Sequence, residues 1–143
     1  MENNIEIRLA TITDLNAIEK IGDTLFDYPI KKSSAIEYLN DSRHHLVLAF
    51  DQENVVGMTS GFHYVHPDKD PSLFIDEVGV IDAYKNRGIA RRLIKFLCLH
   101  GKKMGLKEAW VLTERSNEAA KKAYIAAGGI QEDTDIVLFE FKL

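Results

Sequence analysis

Asp76 and Glu77 stand side by side in an otherwise apolar run, LFIDEVGV, at residues 73–80. A carboxylate without water or a partner is costly to bury. The pair therefore has one of two uses: an ion pair with a lysine or arginine of a neighbouring element, or a general base that takes a proton from an ammonium group, directly or through water. Successive strand residues face opposite ways, so only one is expected to point into a given pocket, Glu77 first and Asp76 second. A polar turn, Lys85-Asn86-Arg87-Gly88-Ile89-Ala90, then opens a periodic amphipathic segment. There the unpaired N–H groups and the dipole of a helix start favour an anion, and glycine removes the side chain that would hold a phosphate away. Arg91 and Arg92 follow, either reaching that phosphate or lying as solvated charges. The three-glycine dinucleotide fingerprint and the P-loop pattern are both absent from this stretch.

A second informative segment is SNEAAKKAYIAAGG at residues 116–129. Ser116 or Asn117 can cap it, Gly128-Gly129 closes it, and Asn117, Ala120 and Tyr124 fall on one helical face. Together, Val78-x-Val80 with Lys85-x-x-Gly88-x-Ala90, and then N-x-x-A-x-x-x-Y-x-x-x-G about one strand later, resemble the two acetyl-CoA motifs of the GNAT N-acetyltransferases. Lys85 stands where that family usually has Arg or Gln, which keeps a donor but loses the planar fork. The resemblance covers nearly the whole chain and implies an α/β (α+β) fold, with a mixed, mostly antiparallel sheet, splayed central strands and about four helices.

Carried over residue by residue, the likeness implies that Val78, Gly79 and Val80 pair through their backbone with the pantetheine arm of acetyl-CoA as an added strand would. Lys85, Asn86, Arg87, Gly88, Ile89, Ala90 and Arg91 would then hold its phosphates. Asn117 would hydrogen-bond the arm, Ala120 would leave it room, and Tyr124 would act as general acid at the sulfur. An acidic residue near Asp76 and Glu77 often serves the family as base. Asn117 as a plain N-cap and Tyr124 as core packing are the simpler readings of those two residues. The implied reaction is direct attack of an amine on acetyl-CoA, with no metal. The compact end of the chain is most similar to short forms such as the aminoglycoside 3-N-acetyltransferases, so a small cationic acceptor such as an aminoglycoside or polyamine is expected. The alternatives are a protein or peptide N-acetyltransferase and a non-catalytic acyl-CoA sensor.

These residues need a scaffold to position them. IEIRL at residues 5–9 reads as a strand, and Thr13-Asp14-Leu15 then opens a helix with Leu15, Ile18, Ile21 and Leu25 at helical spacing until Pro29. Ser33 or Ser34 caps a second helix to Leu39. In the GNAT family these two helices overhang the acceptor site, so Phe26, Tyr28 and Tyr38 either line it or pack in the core. Residues 45–50 and 55–65 form a hairpin, with Gly57 and Gly61 marking a bulge or a close backbone approach. The proline-bearing loop at 66–71 is expected at the surface, where it could border the substrate entrance. A helix spans 88–104 with Ile89, Leu93, Ile94, Phe96, Leu97 and Met104 on its apolar face, a strand spans 107–113 with Trp110 in the core, and IVLFEFKL at 136–143 is a last strand, able to pair or exchange across a homodimer interface.

At 143 residues the chain is expected to be one domain, 1–143, with 45% apolar and 28% charged residues. No apolar run is long enough for a membrane span and no leader pattern opens the chain, so a cytoplasmic protein is expected. With 18 basic against 22 acidic side chains the formal charge is −4. That opposes nucleic-acid binding and is compatible with a cationic small-molecule substrate. Cys98, the lone cysteine, reads as a small buried hydrophobe, and the five histidines show no ligand spacing.

Overall fold

The computed structural model describes residues 4–143. Five strands lie in chain order across one sheet: β1 (Glu6–Leu9), β2 (His44–Asp51), β3 (Asn54–Phe62), β4 (Leu73–Val80) and β5 (Ala109–Val111). The first four are antiparallel neighbours, and β5 joins β4 in parallel. The order follows from the connections: a polar turn suffices for β2–β3, whereas the parallel step to β5 needs the crossover helix α3 (Ile89–Lys103).

Side-chain alternation sends β2 to both faces. Val47 and Ala49 join Val56, Leu73, Ile75 and the α3 residues Ile89, Leu93, Ile94 and Leu97 in one apolar cluster. Leu46, Leu48 and Phe50 join Val55, Met58 and Ile18 in the other. The second face is covered by α1 (Leu15–Ile21) and α2 (Lys32–Asn40), so Leu46 to Phe50 are all buried, as a strand sandwiched between helices must be. The first helix is shorter than its periodicity suggests. It ends at Gly22 (φ +33°) and continues as a tight 3-10 turn, Gly22–Thr24, before Pro29. Its entry is fixed by Asp14, which is buried, accepts from the Thr11 N–H at 2.8 Å and takes the Arg8 guanidinium at 2.8 and 2.9 Å. This fork holds the Asp14 carboxyl below the usual carboxylate range.

Two elements depart from the sequence expectation. Trp110 is not core: it is 45% exposed, its ring resting on Phe74 at 4.4 Å. Residues 136–143 are exposed and join no strand of the sheet, although their composition reads as a strand. Helix α4 (Glu118–Ala126) packs on α3 through the half-buried Ala123 and Tyr124. Among the described residues, every fully buried one lies between Ile5 and Gly101. No helix is long and apolar enough to cross a membrane.

Candidate active site

The register between β3 and β4 shifts at one point: Ser60 pairs with Glu77 and Gly61 with Ile75, leaving Asp76 without an opposite residue. Such a bulge breaks strict alternation. As a result both carboxylates line the same cleft, which corrects the expectation that only one could. Gly61 makes the approach possible, since a Cβ there would stand 2.7 Å from the Phe74 carbonyl oxygen. Neither Asp76 nor Glu77 forms an ion pair among the described residues, so the structural use considered for them is not the one the fold adopts.

The cleft they line has a volume of about 440 Å³ and lies beneath α1 and α2. Its walls include Phe26, Tyr28, Pro29, Ile30, Tyr38 and Leu46, with Lys31, Ser34, Ser60, Asp27, Asp76 and Glu77 as polar groups. Burial raises the Glu77 pKa, and the negative charges of Asp27 and Asp76 raise it further. Tyr38 anchors α2 to the sheet by donating to the His45 and Gly61 carbonyls at 2.7 and 3.2 Å, and burial pushes its hydroxyl up to about 12. Asp27 escaped the sequence reading. Its only signal was its place between Phe26 and Tyr28, both considered for this wall. The 66–71 loop borders a different hollow, of about 500 Å³, with Tyr64, Lys107 and Trp110.

On its other edge β4 is bonded to β5 only at Leu73, Phe74 and Ile75. Past that point Val78, Gly79 and Val80 keep their β3 partners and lack a strand on the β5 side, so this edge offers N–H and C=O groups to an extended ligand. The turn that follows is built as a cradle. Asn86 has φ +61° and Gly88 φ +73°, a left-handed pair that ends in the α3 N-cap. A Cβ on Gly88 would meet only the Arg91 guanidinium, at 3.7 Å, within 4 Å. The first helical bond runs from Arg92 N–H to the Gly88 carbonyl (3.1 Å), so the N–H groups before it, at Ile89, Ala90 and Arg91, have no helical acceptor.

The neighbouring side chains divide between scaffold and surface. Lys85 pairs with Asp82 at 2.6 Å, the Arg87 guanidinium lies 4.9 Å from the Tyr84 ring centre, and the Tyr84 hydroxyl donates to Asp51. Arg92, considered above as a phosphate ligand, instead donates to the Ile5 carbonyl at 2.7 Å and ties α3 to the first strand. On α4 the Asn117 carboxamide oxygen accepts from the Ala120 N–H at 3.1 Å, which is the capping role, and leaves its NH₂ group outside the cap. Tyr124 is half-buried against the α3-side cluster, burial raises its pKa, and its hydroxyl has no hydrogen-bond partner among the described residues. Cys98 is partly buried, and burial raises its thiol pKa as well.

Residues 11–128 match the family model of the GNAT acetyltransferases. The chain belongs to the GNAT acetyltransferase family. As a GNAT acetyltransferase it is an enzyme, and its solved structural neighbours share the whole fold. An aminoglycoside acetyltransferase from an uncultured soil metagenomic sample, in complex with sisomicin, superposes with TM-score 0.83 at 17% identity, covering 99% of this chain and 98% of that one. AAC(6')-Iy, in complex with the bisubstrate analogue CoA-S-monomethyl-acetylneamine, gives TM-score 0.83 at 20% identity over 98% and 99%. The ribosomal-protein-alanine N-acetyltransferase of Brucella melitensis biovar Abortus 2308 gives 0.76 at 19% over 96% and 99%. No curated protein matches the chain in sequence.

Although the spacing of the histidines showed no cluster, folding brings His45, His63 and His100 into a chain, with His45 Nε2 2.8 Å from His63 Nδ1 and His100 Nε2 3.3 Å from His45 Nδ1. Among the described residues no group of three or more side chains is arranged to hold a metal ion.

Proposed function

We propose that this GNAT protein, as one domain over residues 1–143, transfers an acetyl group from acetyl-CoA to a primary amine of a small polycation, an aminoglycoside or polyamine. The observation that carries the reading is the aromatic cleft in which Asp27, Asp76 and Glu77 outnumber the one lysine on its wall, Lys31, and form no ion pair among the described residues. Such a site attracts an ammonium-bearing ligand and holds its charges at more than one point. Fold likeness to proteins solved with sisomicin and with a CoA-linked neamine supports the same acceptor class.

The chain fits acetyl-CoA as its second substrate. The free edge at Val78, Gly79 and Val80 would take the amides of the pantetheine arm, and the Asn86-to-Ala90 cradle with Lys85, Arg87 and Arg91 would take the phosphates. The Asn117 NH₂, free of the cap, would donate to the arm, and Ala120 would give it clearance. An ammonium acceptor has no lone pair, so it must first lose a proton. Glu77, whose raised pKa makes it the stronger base, takes that proton, and Asp76 holds the neighbouring charge. The amine nitrogen then bonds to the acetyl carbon, the carbon–sulfur bond breaks, and Tyr124 gives its proton to the departing sulfur. This acid–base chemistry requires no metal.

The test is thiol release from acetyl-CoA against aminoglycosides, polyamines, amino acids and short peptides, with Tyr124→Phe alongside. The expected outcome is turnover with the polycations and a kcat reduced by about 10²-fold or more in the variant, while CoA binding measured by calorimetry is retained. Turnover confined to peptides would replace the acceptor class. Binding without turnover across the panel would favour a sensor.

A further inference from the structure

Among the described residues, Tyr38 is the one member of α2 that reaches the sheet by a hydrogen bond, and it reaches two carbonyls at once, His45 at 2.7 Å and Gly61 at 3.2 Å. Those two residues stand opposite one another on β2 and β3. The Tyr38 ring lies in the wall of the carboxylate cleft and stacks on His44, with centres 4.7 Å apart and planes at 15°. A phenylalanine would fill the same space. The hydroxyl therefore needs a use of its own, because a polar group taken out of water is costly unless it is bonded.

The position of the two carbonyls supplies that use. The β3–β4 register shifts between Ser60, opposite Glu77, and Gly61, opposite Ile75, and this shift brings Asp76 and Glu77 to one side. A bulge disrupts the ladder locally, so the rung beside it gains from an outside tie. One hydroxyl serves both carbonyls only while His45 and Gly61 stay in line. A slip of one residue would carry the Gly61 carbonyl about 3.3 Å along its strand, beyond hydrogen-bond reach.

The same group fixes the roof of the cleft. Helix α2 carries no fully buried residue, so few contacts set its height over the sheet. The hydroxyl remains a donor throughout the working pH range: burial, with Asp76 and Glu77 adding to it, pushes its pKa up to about 12, against the opposing effect of the two carbonyls.

We infer that Tyr38 is a positioning residue for the reaction: its hydroxyl clasps β2 and β3 beside the bulge, ties α2 to them, and so holds Asp76 and Glu77 on one side of the sheet beneath a roof of fixed height. This role rests on the reading of Glu77 as the base proposed above. Tyr38 acts through the backbone and transfers no proton.

The test is Tyr38→Phe, which keeps the ring and removes both bonds, assayed with sisomicin and spermidine as acceptors. In the folded variant kcat should fall and the acceptor KM rise, together lowering kcat/KM by about 10–10²-fold, the scale of a 1 Å misplacement. The KM for acetyl-CoA and the calorimetric affinity for CoA should not change. A tyrosine that only stabilised the fold would reduce the active fraction, and thus kcat, without moving the acceptor KM. That result overturns the inference, as does an unchanged kcat/KM or an equal loss of CoA affinity. If the variant does not fold, hydrogen exchange of the wild-type protein replaces it: saturating sisomicin should slow the amides of 32–40 and of 60–61 together, and protection of one segment alone overturns the inference. Wild-type turnover confined to peptides would sink the polycation reading, and the same kinetic split, read with the peptide, would then decide on Tyr38. No turnover with any amine would sink both.

Discussion

The acid–base character of the cleft rests on like charges held together. Glu77 is raised first by burial and then by Asp27 and Asp76, so it ionises at a higher pH than an ordinary glutamate, and a base that must be ionised to work loses activity below its pKa. Replacing Asp27 with Asn removes one of those negative neighbours. The acidic limb of the kcat/KM–pH profile should then move to lower pH, while KM for a polycationic acceptor rises. An unmoved limb would show that Asp27 does not act on the base. Sequence reading found Asp76 and Glu77 from their cost in an apolar strand. It misjudged how they face, because alternation holds only while the ladder is regular. Asp27 was illegible for another reason: an exposed acidic residue costs nothing until the fold brings it to other carboxylates.

Among the elements, the β3–β4 pair determines whether the site exists. The bulge that turns Asp76 and Glu77 to one side lies opposite Gly61, where an added methyl would meet the Phe74 carbonyl at 2.7 Å and the Leu73 and Leu97 side chains at 3.3 Å. Backbone cannot yield as a side-chain tip does. Gly61→Ala should cost about 1–3 kcal/mol in urea unfolding, and activity should fall further than the unfolded fraction explains, because the register that pairs the carboxylates is displaced. The hairpin and the long helix were legible because a period of two or of 3.6 residues is written directly in the order of apolar side chains. Three features were not. The way the bulge turns Asp76 and Glu77 has no periodic signature, although Gly61 marked its place; Trp110 was expected inside by residue type alone; and residues 136–143 have a strand's composition but no partner within their own chain.

Across the molecule, the three-histidine chain joins the start of β2, the end of β3 and the last turns of α3. The His45 pKa is depressed to about 4, by burial first and then by His100, His63 and His44, against a smaller opposing effect of Asp41. The unfolded chain therefore binds a proton here that the folded chain refuses. The stability due to neutral His45 is complete above the unfolded pKa of about 6.5 and is lost as pH falls toward the folded value. Within that window the folding constant should drop by roughly tenfold per pH unit for the one proton. Urea midpoints between neutral pH and pH 4 should show this slope, and His45→Gln should flatten it. Asp14 and its Arg8 fork lose their contribution only at lower pH, since that carboxyl is depressed.

The burial map divides the molecule unevenly, every fully buried described residue lying between Ile5 and Gly101. The cleft lined by Asp76 and Glu77 belongs wholly to that part, whereas Asn117, Ala120 and Tyr124 stand on a helix outside it. Hydrogen exchange should therefore show less protection in α4 than in β2, β3 and α3. On the proposed roles, the carboxylates, the free β4 edge and the cradle before α3 share the well-packed part, and only Asn117, Ala120 and Tyr124 ride on a helix with no buried residue, so one end of a single substrate would rest on the softer ground.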